Sequence, residues 1–65
     1  MKCSELLRLL HRDGWIDIRQ NGSHVIMRHP IKIGQIIVPN HGGKEIGKGL
    51  LGGILKQANI KTNKR

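Results

Sequence analysis

The sequence predicts an α+β domain in the order α-β-β-β-α, a three-stranded antiparallel sheet with both helices on one face. Three observations carry that expectation. Leu6, Leu9 and Leu10 near the N-terminus recur at helical spacing, and so do Leu50, Leu51, Ile54, Leu55 and Ala58 near the C-terminus. Between them lie three short runs rich in β-branched residues, separated by turn residues at Asn21-Gly22 and from Pro30 to Gly34.

The first helix has Ser4 as its N-cap and Glu5 in its first turn, where a carboxylate meets the positive end of the helix dipole. His11 and Arg12 suit the opposite end, Gly14 can take the left-handed position that closes a helix, and Trp15 packs back on the last turn. The helix therefore stops near Asp13. Trp15 to Gln20 follows as the first strand, Asn21-Gly22 supplies the positive φ of a tight hairpin, and His24 to His29 is the second strand. Gln35 to Val38 makes the third, ended by Pro39, which cannot donate to a ladder. Period-2 alternation turns Ile16 and Ile18, Val25 and Met27, and Ile36 and Val38 toward the helices. Trp15, Asp17, His24, Ile26, Arg28 and Ile37 then look the other way. Asn40 to Lys48 reads as a polar, Gly-rich connection, and the second helix ends around Asn59. Gly52 and Gly53 inside it each cost roughly 1 kcal/mol relative to Ala, a cost that close approach to the first helix or the sheet would explain.

Sixty-five residues with no Phe, no Tyr and one Trp make one domain with one thin aliphatic core, which dimerisation or a tight partner would help to stabilise. The domain is expected over residues 1–60, with Lys61 to Arg65 as a basic disordered tail. The single Cys3 excludes an internal disulfide and points to a reducing cytoplasm. The apolar stretch from Leu6 to Leu10 is broken by Arg8, so no secretory signal is read there, and no segment has the length of a membrane span. Twelve Lys and Arg against four acids give a formal charge of +8, which points to a polyanionic partner.

Two glycine patterns resemble nucleotide sites and fail on inspection. Gly42 to Lys48 matches a phosphate-cradling loop, but Gly49 stands where a Mg²⁺-binding Ser or Thr belongs. Gly47-x-Gly49-x-x-Gly52 has no room for the βαβ unit that a dinucleotide fingerprint needs. The histidines His11, His24, His29 and His41 match no zinc spacing, so neither a metal nor another cofactor is expected. His11 reads as a helix C-terminal cation and His29 as a turn residue before Pro30.

His24 stands apart, because the alternation exposes it at a hairpin end on a cationic face. RNA cleavage can proceed without metal when one group removes the 2′-OH proton, a cation steadies the phosphorane charge and an acid protonates the leaving 5′-oxygen. Imidazole can serve either proton role near neutral pH. Arg28, Lys32, Lys44 and Lys48 flank the strand tips and the start of the second helix as a phosphate track, with Ser23 able to position a phosphate.

The order and spacing of Glu5-Leu6, Leu9-Leu10, Gly14-Trp15, Gly22-Ser23-His24, Arg28-His29-Pro30, Val38-Pro39-Asn40-His41 and Ile54-Leu55-Lys56-Gln57-Ala58 resemble the HicA toxins over Ser4 to Ile60. That resemblance implies a double-stranded-RNA-binding-domain-like fold, ribonuclease activity on messenger RNA that arrests translation, and neutralisation by a HicB antitoxin. It also implies that His24 is the catalytic histidine. Val25 stands where many members carry a second His, and Leu50 where Thr is common. A domain of that shape reads A-form RNA through backbone and 2′-OH groups, so strict sequence specificity is not expected. The competing reading is a non-catalytic RNA-binding module on the same basic surface. A DNA-binding role lacks a helix-turn-helix spacing.

Overall fold

The computed structural model describes residues 1–60; the expected basic tail lies outside them. The order is helix α1 (Cys3–Asp13), strands β1 (Ile16–Asn21), β2 (His24–Arg28) and β3 (Gln35–Pro39), and helix α2 (Lys48–Gln57). The sheet is antiparallel in the order β1-β2-β3. Cys3, Leu6 and Leu10 of α1, Ile54 of α2 and the adjoining Ala58 pack on Val25, Met27, Ile36 and Val38. One sheet face is therefore covered by helices and the other is open. Among the described residues no helix is long and apolar enough to cross a membrane.

Both helices end in the same way. Gly14 has φ 108°, its N–H donates to the His11 carbonyl, and the Trp15 N–H donates to the Leu10 carbonyl, both at 3.0 Å. At the end of α2, Asn59 takes φ 55°, its N–H reaches Lys56 O at 3.1 Å, and the Ile60 N–H reaches Leu55 O at 3.0 Å. This is the paired closure in which a left-handed residue turns the chain back and an apolar residue follows it.

The start of α1 corrects the expected Ser4 cap. The N-cap is Lys2, whose N–H donates to Glu5 Oε1 at 2.8 Å. The Cys3 and Ser4 N–H groups donate to the carbonyls of Lys44 (2.9 Å) and Gly42 (3.0 Å). The loop from Gly42 to Ile46 thus satisfies donors that a Ser hydroxyl would otherwise serve. Within this stretch only Gly42, at φ 61°, has a backbone that favours glycine, and Ile46, inside a connection that reads as polar, is buried in the core.

Strand β1 corrects the face assignment. Trp15 is buried while Ile16 and Ile18 are each 54 % exposed, the reverse of the expected alternation. The turn at Gly14 delivers Trp15 directly onto the last turn of α1, and burying the largest apolar side chain forces Ile16 outward. The pairing Asp17↔Met27 is followed by Arg19↔Ile26, so Ile18 is an extra residue at a β-bulge. Beyond the bulge the parity is restored, and β2 and β3 bury Val25, Met27, Ile36 and Val38 as expected.

In α2, Leu50 is exposed rather than part of the buried stripe. A Cβ on Gly52 or Gly53 would meet no atom within 4 Å, so close approach does not explain these glycines. Nothing in the structure does.

Candidate active site

His24 is the first residue of β2, and its position follows from the hairpin loop. The loop residues are Gly22-Ser23 rather than Asn21-Gly22, with Asn21 paired to His24. Gly22 has φ 63° and Ser23 does not have positive φ, the pattern of a type II′ turn, whose twist suits a two-residue hairpin. The Ser23 carbonyl accepts the Asn40 N–H at 2.6 Å. The hairpin tip is thereby tied to the chain leaving β3.

The register lays out the open face in three rows. Asn21, His24 and Pro39 form the row at the hairpin end; Arg19, Ile26 and Ile37 form the middle; Ile16, Arg28 and Gln35 form the far end. None of these residues is acidic. His24 is exposed, with Asn21 directly across from it at about 5 Å between Cβ atoms. Arg19 occupies the diagonal place, about 7–8 Å away, within reach of a phosphate held at His24. Arg28 shares the face but lies four residues along β2, about 13 Å distant. Choosing basic residues by closeness along the chain misses Arg19. The signal for it is the hairpin register, since a loop at Gly22-Ser23 sets Asn21 against His24 and Arg19 on the diagonal.

The remaining candidates are dispersed. Ser23 is half-buried in the turn, Lys44 is exposed in the loop against α1, and Lys48 is the exposed first residue of α2. Lys32 is committed elsewhere. Its ammonium donates to Asp13 Oδ2 at 2.6 Å, to Ala58 O at 2.9 Å and to Asn59 O at 3.2 Å, which uses its three donors. It bridges the C-terminal ends of both helices, where a cation also meets the negative end of the dipole.

The other histidines have structural surroundings or stand alone. The His29 side chain is 6 % exposed; its Nε2–H donates to Asp13 O at 2.8 Å and its Nδ1 accepts the N–H groups of Ile31 (3.0 Å) and Lys32 (3.1 Å). Its ring meets Trp15 edge-on at 5.3 Å between centroids. His11 Nε2 lies 2.7 Å from Asp17 Oδ1, linking α1 to β1, and His41 is exposed in the loop after β3. Among the described residues no three His, Cys, Asp or Glu side chains gather as a metal site would require. The arrangement at His24 can exchange a proton with a bound group and can attract a phosphate through Arg19.

A search of curated proteins finds no match. The family model described as the HicA toxin of bacterial toxin-antitoxin systems matches residues 3–60, which spans both helices, the whole sheet and the segment that ties the hairpin tip to β3. With the α-β-β-β-α order and the Gly22-Ser23-His24 turn in place, the chain belongs to the HicA toxin family.

Proposed function

We propose that this chain is an endoribonuclease that cleaves messenger RNA without a metal ion, arrests translation, and is neutralised by a HicB antitoxin. The observation that carries the proposal is the placement of His24: an exposed imidazole at a hairpin end, on a sheet face that bears arginines and no carboxylate. In the reaction the ribose 2′-oxygen loses its proton and attacks the adjacent phosphorus, and the bond to the 5′-oxygen breaks as that oxygen gains a proton. His24 serves as the general base or the general acid in this exchange. Arg19 is the cation placed to steady the phosphorane charge. Arg28, Lys44 and Lys48 hold more distant phosphates, with Ser23 at the turn. Lys32 is left out, because its donors are occupied.

The test is incubation of purified protein with a structured messenger RNA in EDTA. Native protein cleaves, and His24→Ala lowers the rate by about 10²–10⁴. Binding with no cleavage by the native chain supports the non-catalytic RNA-binding module instead. In cells, expression of the native chain stops growth and His24→Ala relieves it.

A further inference from the structure

We propose that the loop between β2 and β3 is the anchor by which this toxin is held by its antitoxin, through a pair of isoleucines remote from His24. The partner's identity rests on the toxin-antitoxin function proposed above; the site itself rests on the loop.

Ile31 is 84 % exposed and Ile33 is 96 % exposed, the two most exposed large apolar side chains among the described residues. They follow the row of the sheet that holds Ile16, itself more than half exposed. Isoleucines this exposed contribute little to folding, and a chain with so thin a core has reason to bury isoleucine wherever it can. The loop is nevertheless fixed from both sides. The buried His29 ring accepts the N–H groups of Ile31 and Lys32 while donating to Asp13. The Lys32 ammonium, between the two isoleucines in sequence, is pinned to Asp13 and to the end of α2. A side chain held inward on each side of an exposed one turns the loop into a rigid apolar knuckle, which lowers the ordering cost of binding.

The chemistry of the neighbourhood selects the occupant. Aliphatic side chains offer nucleobases no stacking plane, so RNA gains little here. A second copy of the chain would bring its own +8 charge against the +8 of the first. An acidic protein with an apolar pocket satisfies both the isoleucines and Arg28, which has no carboxylate in its row of the sheet. The knuckle lies beyond the Arg28 row, more than about 13 Å from His24. A partner seated on it gains affinity without touching the imidazole, and from there it can extend along the open face toward the hairpin.

The experiment compares native protein, Ile31→Ser/Ile33→Ser and His24→Ala for binding to the purified HicB antitoxin, for RNA cleavage, and for folding by circular dichroism. Both isoleucines are exposed, so the double variant keeps the native spectrum and melting temperature. It loses antitoxin affinity by at least about 100-fold while its RNA cleavage is unchanged, and in cells the antitoxin no longer rescues growth. His24→Ala behaves oppositely, binding normally and not cleaving. Native-like antitoxin affinity of the double variant overturns the proposal, as does a fall in RNA binding with antitoxin binding intact, or the absence of any complex with the native chain. If the native chain binds the antitoxin through the isoleucines but cleaves no RNA, the ribonuclease proposal fails and the anchor stands.

Discussion

Replacing Gly14 by Ala should be among the most damaging single-methyl changes in this chain. The residue has φ 108°, a conformation that costs an L side chain about 1–2 kcal/mol. The added Cβ would also stand 2.7 Å from Nε2 of His29, closer than a real contact allows. That ring cannot swing aside cheaply, because both its nitrogens are hydrogen-bonded and its edge rests on Trp15. Displacing it sacrifices one to three hydrogen bonds, each about 1 kcal/mol net. The sum is about 2–5 kcal/mol, against a total stability of about 3–10 kcal/mol for a domain of this size. Thermal unfolding followed by circular dichroism should show a drop of roughly 10–40 °C. Gly42→Ala is the control, since Gly42 has φ 61° but open space around the new Cβ, so it carries the backbone cost alone. Equal losses for the two variants would show that the His29 ring is not the fixed post described above.

Lys32→Met should cost about 1–3 kcal/mol in urea unfolding, because it strands the Asp13 carboxylate and two carbonyls at the end of α2; RNA affinity should hardly change, whereas lost affinity with intact stability would return Lys32 to the phosphate track. Gly52→Ala/Gly53→Ala, with open space at both positions, should stabilise by about 1–2 kcal/mol, and no gain in the urea midpoint would mean that these positions are not regular helix. The Met1 ammonium, 2.6 Å from Glu45 Oε2, holds the Glu45 carboxyl below its ordinary value. Its folded-state pKa being the lower one, the pair contributes stability above the ordinary carboxylate range and loses it as pH falls through the lowered value. Glu45→Gln should therefore flatten the acid side of the stability profile, and an unchanged profile would refute the pair's contribution.

The element order was legible because each helix carries its own apolar stripe and each turn its own glycine or proline. The faces of β2 and β3 were legible for the same reason: Val25, Met27, Ile36 and Val38 alternate cleanly with His24, Ile26, Arg28 and Ile37. Strand β1 was not, because its pattern contains two incompatible instructions. Ile16 and Ile18 ask to be buried at period two, while Trp15, set one residue out of phase, buries more surface than either. The bulge at Ile18 reconciles the winner with the rest of the sheet, and local alternation cannot announce it. Lys32 and Ile46 illustrate a second limit. Each sits in a segment whose composition suggests solvent, and each is recruited by elements distant in sequence, Lys32 by the ends of α1 and α2 and Ile46 by the core under the N-terminus.

The same recruitment changes what the net charge means. All four carboxylates have intramolecular partners: Glu5 receives the Lys2 N–H, Asp13 holds Lys32, Asp17 meets His11, and Glu45 holds the N-terminal ammonium. Three of these contacts tie together separate segments of the chain, so the acids serve the fold and none lies on the face that carries His24. Folding thus withdraws negative charge from that face and leaves Arg19 and Arg28 uncompensated there. On the function proposed above, this surface would attract RNA and an acidic antitoxin by the same long-range force, and both associations would weaken as salt screens it. Discrimination between them cannot come from charge. On the two proposals it would come from short-range chemistry, the His24 imidazole acting on the ribose-phosphate linkage at one end of the sheet and the aliphatic Ile31 and Ile33 entering a protein pocket at the other.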